Sequence, residues 1–167
     1  MYTPSIIVDE VIDALADFLT PLVDGAEIAR AQTNRVAMPA SPCVILTELL
    51  EVDLAIPYEN YQPDDNTANI HGATRIDIQI DFYGVQAGDF CKVAKAAFRS
   101  QWGFAQFPAN IKPLYTSDGL QSPLITGEKQ YESRWTLTVS IQYNPIVTVP
   151  QEFADEAIPN AIIPADL

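Results

Sequence analysis

Positive charge is what this chain has least of. Nine Lys and Arg stand against twenty-two Asp and Glu, a formal charge of -13 over 167 residues. A protein that grips nucleic acid through its phosphates needs the opposite balance, so DNA binding of that kind is excluded while DNA repulsion is not. Cysteine is nearly absent. Cys43 and Cys91 lie inside apolar runs, far apart in sequence, which fits neither a zinc site nor a disulfide framework. Two buried, reduced thiols in a cytosolic protein are expected. No apolar run approaches the ~18 residues needed to cross a bilayer, and no basic stretch precedes an apolar one at the N-terminus. Neither a membrane span nor an export signal is therefore predicted.

Chemical signatures are missing as well. His71 is the single histidine, it falls in a polar stretch, and no G-x-S-x-G elbow accompanies it, so it reads as a surface residue. Neither G-x-x-x-x-G-K-[ST] nor G-x-G-x-x-G occurs, which leaves nucleotide chemistry unsupported. The segment DDNTANIHG, from Asp64, has a faint calcium-loop composition, but counting from Asp65 puts Ile76 where the bidentate glutamate belongs. No catalytic residue, cofactor or metal is expected.

What is present is periodicity. RWTLTVSIQYNP, Arg134 to Pro145, alternates so that Trp135, Leu137, Val139, Ile141 and Tyr143 share one face of a strand. Thr136, Thr138, Ser140 and Gln142 share the other. RIDIQIDFYG behaves the same way, with Ile76, Ile78, Ile80 and Phe82 inward and Asp77, Gln79, Asp81 and Tyr83 outward. Asp77 and Asp81 stand roughly 13 Å apart by strand rise, too far to share one reaction centre, and read as a charged surface stripe.

TPSIIVDEVIDALADFL opens with Thr3 as a candidate N-cap and Pro4 at the first helical position. Val8, Val11, Ile12, Leu15, Phe18, Leu19 and Leu22 then recur at helical spacing, and Pro21 and Gly25 end the helix. CVILTELLEVDLAI predicts one or two strands, bent near Leu50. Residues 58–73 are polar and predict a projecting loop or hairpin tip. Asp89 can cap a helix over DFCKVAKAAFRSQW, with Phe90, Val93, Ala94, Ala97 and Phe98 inward, Lys92, Lys95 and Arg99 on another face, and Gly103 as the stop. The basic face is a candidate subunit contact. IKPLY predicts a short edge strand because Pro113 cannot donate to a ladder, followed by a turn at Ser117 to Gly119. These elements predict an α+β fold, an antiparallel sheet flanked by an N-terminal and a central helix, over residues 1–149.

Residues 150–167 form an acidic, proline-rich arm without a basic residue. Together with Ile146, Val147 and Val149, the arm's Phe153, Ile158, Ile162 and Ile163 are too apolar for a solvated tail, which predicts packing on a neighbour.

The letters DFYG (Asp81 to Gly84), PLY (Pro113 to Tyr115) and QYESRW (Gln130 to Trp135), with Gln142 to Pro145, occur in this order around an Ala-rich helix. In this the chain resembles the phage neck and tail terminator proteins over about Ile7 to Val149, with the arm outside the resemblance. The resemblance implies a hexameric ring at the head-proximal end of the tail. Such a ring stops tube polymerisation and meets the tail tube protein and the head-tail connector, with sheath as a further candidate partner. It also implies a virion protein made in the host cytoplasm, past which DNA moves without specific binding. On that reading Asp77, Gln79, Asp81, Thr136, Thr138 and Gln142 form a net acidic channel or interface face. The alternatives are a head-completion adaptor, a small binding protein, or an enzyme with an unrecognised site.

Overall fold

A computed structural model describes residues 2–31, 38–122, 124, 125 and 131–152. The apolar spacing near the N-terminus produces α1, Val8–Leu19, with Val11, Ile12, Leu15, Phe18 and Leu19 buried, and a 3₁₀ turn at Thr20–Leu22 follows. The helix starts four residues later than Pro4 predicts. Ser5 is bonded instead to Ile146: its N–H donates to the Ile146 carbonyl and its Oγ accepts from the Ile146 N–H, both at 2.9 Å. With Ile6 buried beside it, the segment stays extended, and the Glu10 carboxylate satisfies the Ile7 N–H at the new helix start. Gly25, at φ 73°, makes the left-handed turn into the first strand.

That strand is β1, Glu27–Arg30, followed by β2, Cys43–Asp53. Next come β3 (Tyr58–Gln62), a 3₁₀ turn at Pro63–Asp65, β4 (Thr67–His71) and β5 (Thr74–Tyr83). Helices α2, Ala87–Phe98, and α3, Gln101–Gln106, lead to β6 (Ile111–Thr116) and β7 (Leu120–Gln121). A two-strand ladder of β8, Leu124–Ile125, with β9, Tyr131–Glu132, precedes β10 (Arg134–Tyr143) and β11 (Ile146–Pro150).

The main sheet runs β1-β2-β5-β10-β6, with β7 also on β10. Every pairing in it is antiparallel except β1 with β2, which is parallel. The period-two reading of β5 and β10 holds: Ile76, Ile78, Ile80 and Phe82 meet Leu137, Val139 and Ile141 on one fully buried face. Buried side chains of both α1 and α2 join them in one core, so the two helices cover the same side. The opposite side of the sheet carries no helix among the described residues. As the sequence predicts, β6 is an edge strand, and β2 bends, through a register shift between Glu48 and Leu50 that leaves Leu49 as the extra residue.

The polar segment after β2 is a hairpin of β3 and β4, and β11 pairs on β4 to make a second sheet of three strands. This sheet continues the β5/β10 ladder. Tyr143 opposes Thr74, Ile146 opposes His71, and the Gly72 N–H donates to the Pro145 carbonyl at 2.9 Å between them. Five residues of strand carry it roughly 17 Å beyond the main sheet. Ile146, Val147 and Val149 thus pair within their own chain through backbone bonds. Phe153, Ile158, Ile162 and Ile163 lie outside the described residues.

Two helix details differ from expectation. The chain enters α2 at Ala87, with Asp89 inside the first turn, and Val93 stays exposed while Ala87 and Cys91 complete the buried stripe. Gly103 lies buried inside α3, which Ser100 caps by accepting from the Gly103 N–H at 3.0 Å.

Candidate interaction surfaces

The helix-free face of the main sheet gathers Asp77, Gln79 and Asp81 from β5 opposite Ser140, Thr138 and Thr136 of β10. Its central group is Asp81, 3% exposed. The Arg134 guanidinium donates from Nε and Nη2 to the two oxygens of Asp81 at 3.1 and 2.9 Å, a bidentate fork. Thr136 Oγ1 adds a donor at 2.6 Å and Gln79 Nε2 another at 2.8 Å. Asp77 is held by Ser140 Oγ at 2.6 Å and by Arg75 at 3.2 Å. Gln142 bonds along its own strand to Asn144 Oδ1 at 3.1 Å.

Two carboxylates and two guanidiniums therefore compensate one another. This corrects the expectation of a net acidic, outward stripe: Asp81 is sealed beneath its partners, and Tyr83 is buried beside Arg134, whose cation lies 5.7 Å from the Tyr83 ring centre. Burial, with the Asp81 charge adding to it, pushes the Tyr83 phenol up.

On α2, Lys92, Lys95 and Arg99 form the predicted stripe beside the β6–β7 turn. Lys95 Nζ reaches Asp118 there at 2.6 Å and, mainly through that hydrogen bond, holds the Asp118 carboxyl below its ordinary value. Lys92 lies 3.5 Å from Asp89 one turn earlier. Lys112 of β6 donates to the Phe107 carbonyl at 2.9 Å and lies over the Phe104 ring. Trp102, Phe104 and Leu114 are exposed on α3 and β6, and Tyr115, the register partner of Ser140, is exposed on the helix-free side.

Across the sheet, every residue from Glu48 to Tyr61 is exposed. Ile56, at 93%, is nearly bare, and Leu49, Leu50, Leu54 and Tyr58 are about half so or more. Composition alone marks ELLEVDLAI as a core strand, and this surface was not legible in it.

His71 is not a simple surface residue. It stacks on Tyr58 at 4.5 Å between ring centres, and its Nε2 is buried with no partner among the described residues. Cys43 and Cys91 are free and buried, and burial raises both thiols, which keeps them protonated and unreactive. Among the described residues no group of three or more His, Cys, Asp or Glu is placed to hold a metal ion.

Tyr143 donates from its hydroxyl to Glu51, and burial together with this neighbour drives its phenol well above the ordinary value. The folded state then keeps its proton at a pH where the unfolded chain, near pH ~10, releases it, so stability falls as pH rises through that range. Urea midpoints from pH 8 to 11 are expected to drop steeply for the wild type. Tyr143→Phe should show a shallower drop, together with a loss of about 1 kcal/mol at neutral pH from the missing bond.

These surfaces and the α+β sheet describe a protein whose distinctive polar groups are spent on internal pairing, and comparison with known families places it among virion structural proteins. Residues 9–166 match the phage neck terminator proteins, and the chain belongs to that family. The match reaches past Val149 through most of the acidic arm, which the letter resemblance had left outside. None of the curated proteins matches the chain. Membership makes this a structural protein of the phage neck, carried in the virion, in a family that is not an enzyme class. No described helix is long and apolar enough to cross a membrane.

Proposed function

We propose that the chain forms a ring at the head-proximal end of the phage tail, stops polymerisation of the tail tube, and joins the tail to the head connector. Six copies is the number the family resemblance implies. The family match over residues 9–166 carries this reading. The exposed apolar run from Glu48 to Tyr61 supports it, since soluble monomers seldom leave so much contiguous apolar surface open.

Within the ring, the helix-free face bearing Asp77, Gln79, Asp81, Thr136, Thr138 and Gln142 is proposed to border the channel or a neighbouring subunit. Its suitability for a channel rests on neutrality rather than repulsion. Both guanidiniums are occupied by carboxylates, so neither is free to bind the phosphates of passing DNA. The Lys92, Lys95 and Arg99 stripe is proposed as a subunit contact. The arm with Phe153, Ile158, Ile162 and Ile163 is proposed to pack on a neighbouring copy or ring. The tail tube protein, a sheath where one exists, and the connector are the proposed partners, and synthesis is assigned to the host cytoplasm.

Native mass spectrometry and negative-stain imaging across dilute and high concentration test the ring. A six-membered annulus with a central hole is expected, and a chain that ends at Gln151 should assemble markedly less well than full length. A strict monomer at every concentration overturns the ring, and undiminished assembly of the truncated chain overturns the role of the arm.

A further inference from the structure

The main sheet ends in two edges of different chemistry. The first runs from the bulge of β2 into β3. Between Glu48 and Tyr61 it carries four carboxylates and no basic residue, interleaved with exposed Leu50, Leu54, Ile56 and Tyr58. β1 covers β2 only as far as Leu46, so among the described residues no strand pairs with the outer side of Thr47–Asp53. The second edge is β6 with the flanking α2 and α3. There Lys92, Lys95, Arg99 and Lys112 outnumber the two nearby carboxylates, Asp89 and Asp118, in a protein that is otherwise strongly acidic. Exposed Trp102 of α3 and Leu114 of β6 supply apolar area on the same edge. Three strand spacings, about 14 Å, separate β2 from β6, so the two surfaces belong to opposite sides of one subunit.

We infer that the acidic apolar strip Glu48–Tyr61 of one copy docks on the basic aromatic edge formed by α2, α3 and β6 of the next copy. The occupant follows from the charges. A two-fold pairing of strip with strip would set Asp53 and Glu59 against their own kind, and a pairing of basic edges would do the same for Lys92 and Arg99. Strip against basic edge is the arrangement that joins opposite charges while covering both apolar areas. Such a contact is heterologous: each copy offers one surface forward and the other backward, so it closes into a ring when the rotation per subunit closes. The inference rests on the ring reading above and deepens it by naming the two faces that meet.

Two double variants test it. Asp53→Lys with Glu59→Lys reverses the charge at two strip positions and leaves the strip without net charge, and Lys92→Glu with Arg99→Glu turns the basic edge acidic. All four side chains are exposed, so near-UV circular dichroism and thermal midpoints should stay close to wild type. Each variant alone is expected to assemble with a dissociation constant raised roughly a hundredfold. An equimolar mixture should recover assembly to within about tenfold of wild type, because in alternating copies each contact is either the wild-type one or its charge-reversed counterpart at the four substituted positions. Native mass spectrometry should find equal numbers of the two variants in those assemblies. If wild type assembles and either variant assembles equally well alone, or the mixture does no better than its components, this inference falls while the ring stands. If wild type stays monomeric throughout, the ring reading falls and takes the inference with it.

Discussion

Replacing Asp81 with Ala is expected to destabilise the protein by about 3 kcal/mol, the lower part of the range for breaking a buried ion pair by removing one partner. At 2–4 °C per kcal/mol for a chain of this size, the thermal midpoint falls by roughly 10 °C. The loss comes from what is left behind. The Arg134 guanidinium, Thr136 Oγ1 and Gln79 Nε2 all donate to this one carboxylate, and its removal strands three donors beneath the sheet surface. Arg134 keeps 27% of its side chain exposed and recovers some water, which sets the value near the lower limit. Asp81→Asn keeps the shape and one acceptor oxygen and should lose less than half as much. Chemical denaturation of the three proteins orders them, and an Asp81→Ala chain within 1 kcal/mol of wild type would show the fork to be dispensable. A Lys at position 81 would set a second cation against Arg134, so its effect on DNA passage would report stability rather than channel charge.

The Asp81–Arg134 fork also marks the limit of what the sequence discloses. Both letters belong to the segments that resemble the terminator proteins, yet fifty-three positions separate them, and no local pattern says that they touch. Their strands were legible because alternation has period two, and the core face of β5 and β10 follows from it directly. The start of α1 was not, since Ser5 answers to Ile146, a partner 141 residues away, rather than to Pro4 beside it. Nor was the exposure of Glu48–Tyr61. Apolar composition says that a segment wants cover, and only the placement of the helices shows that their cover stops near Leu46. That failure is informative about assembly, because a strip with core composition and no cover from the described residues of its own chain is what a neighbour would be expected to bury.

Gly103→Ala is expected to cost about 3 kcal/mol, at the upper end for overpacking, although the substitution would raise helix propensity in an ordinary helix. A methyl group built on Gly103 would overlap the Ala97 carbonyl oxygen and lie 3.0 Å from the carbonyl carbon. That oxygen cannot swing aside, because it belongs to the last turn of α2 and accepts from both the backbone N–H and the hydroxyl of Ser100. Relief requires α3 to move away from α2. The shift would pull apart the contacts that fix the helix pair to α1, where Phe18 meets Phe98 at 5.8 Å and Phe107 at 5.0 Å between ring centres. Trp102, 6.0 Å from Phe18, offers a fluorescence reading of that displacement. Ser100→Ala is the comparison that separates crowding from capping. It removes the hydroxyl that caps α3 and should lose only about 1 kcal/mol, with little change in Trp102 emission. If Gly103→Ala proved no worse than Ser100→Ala, α3 would be loosely seated. The exposed aromatic residues it presents beside β6 would then be positioned by something other than this close approach of two helices.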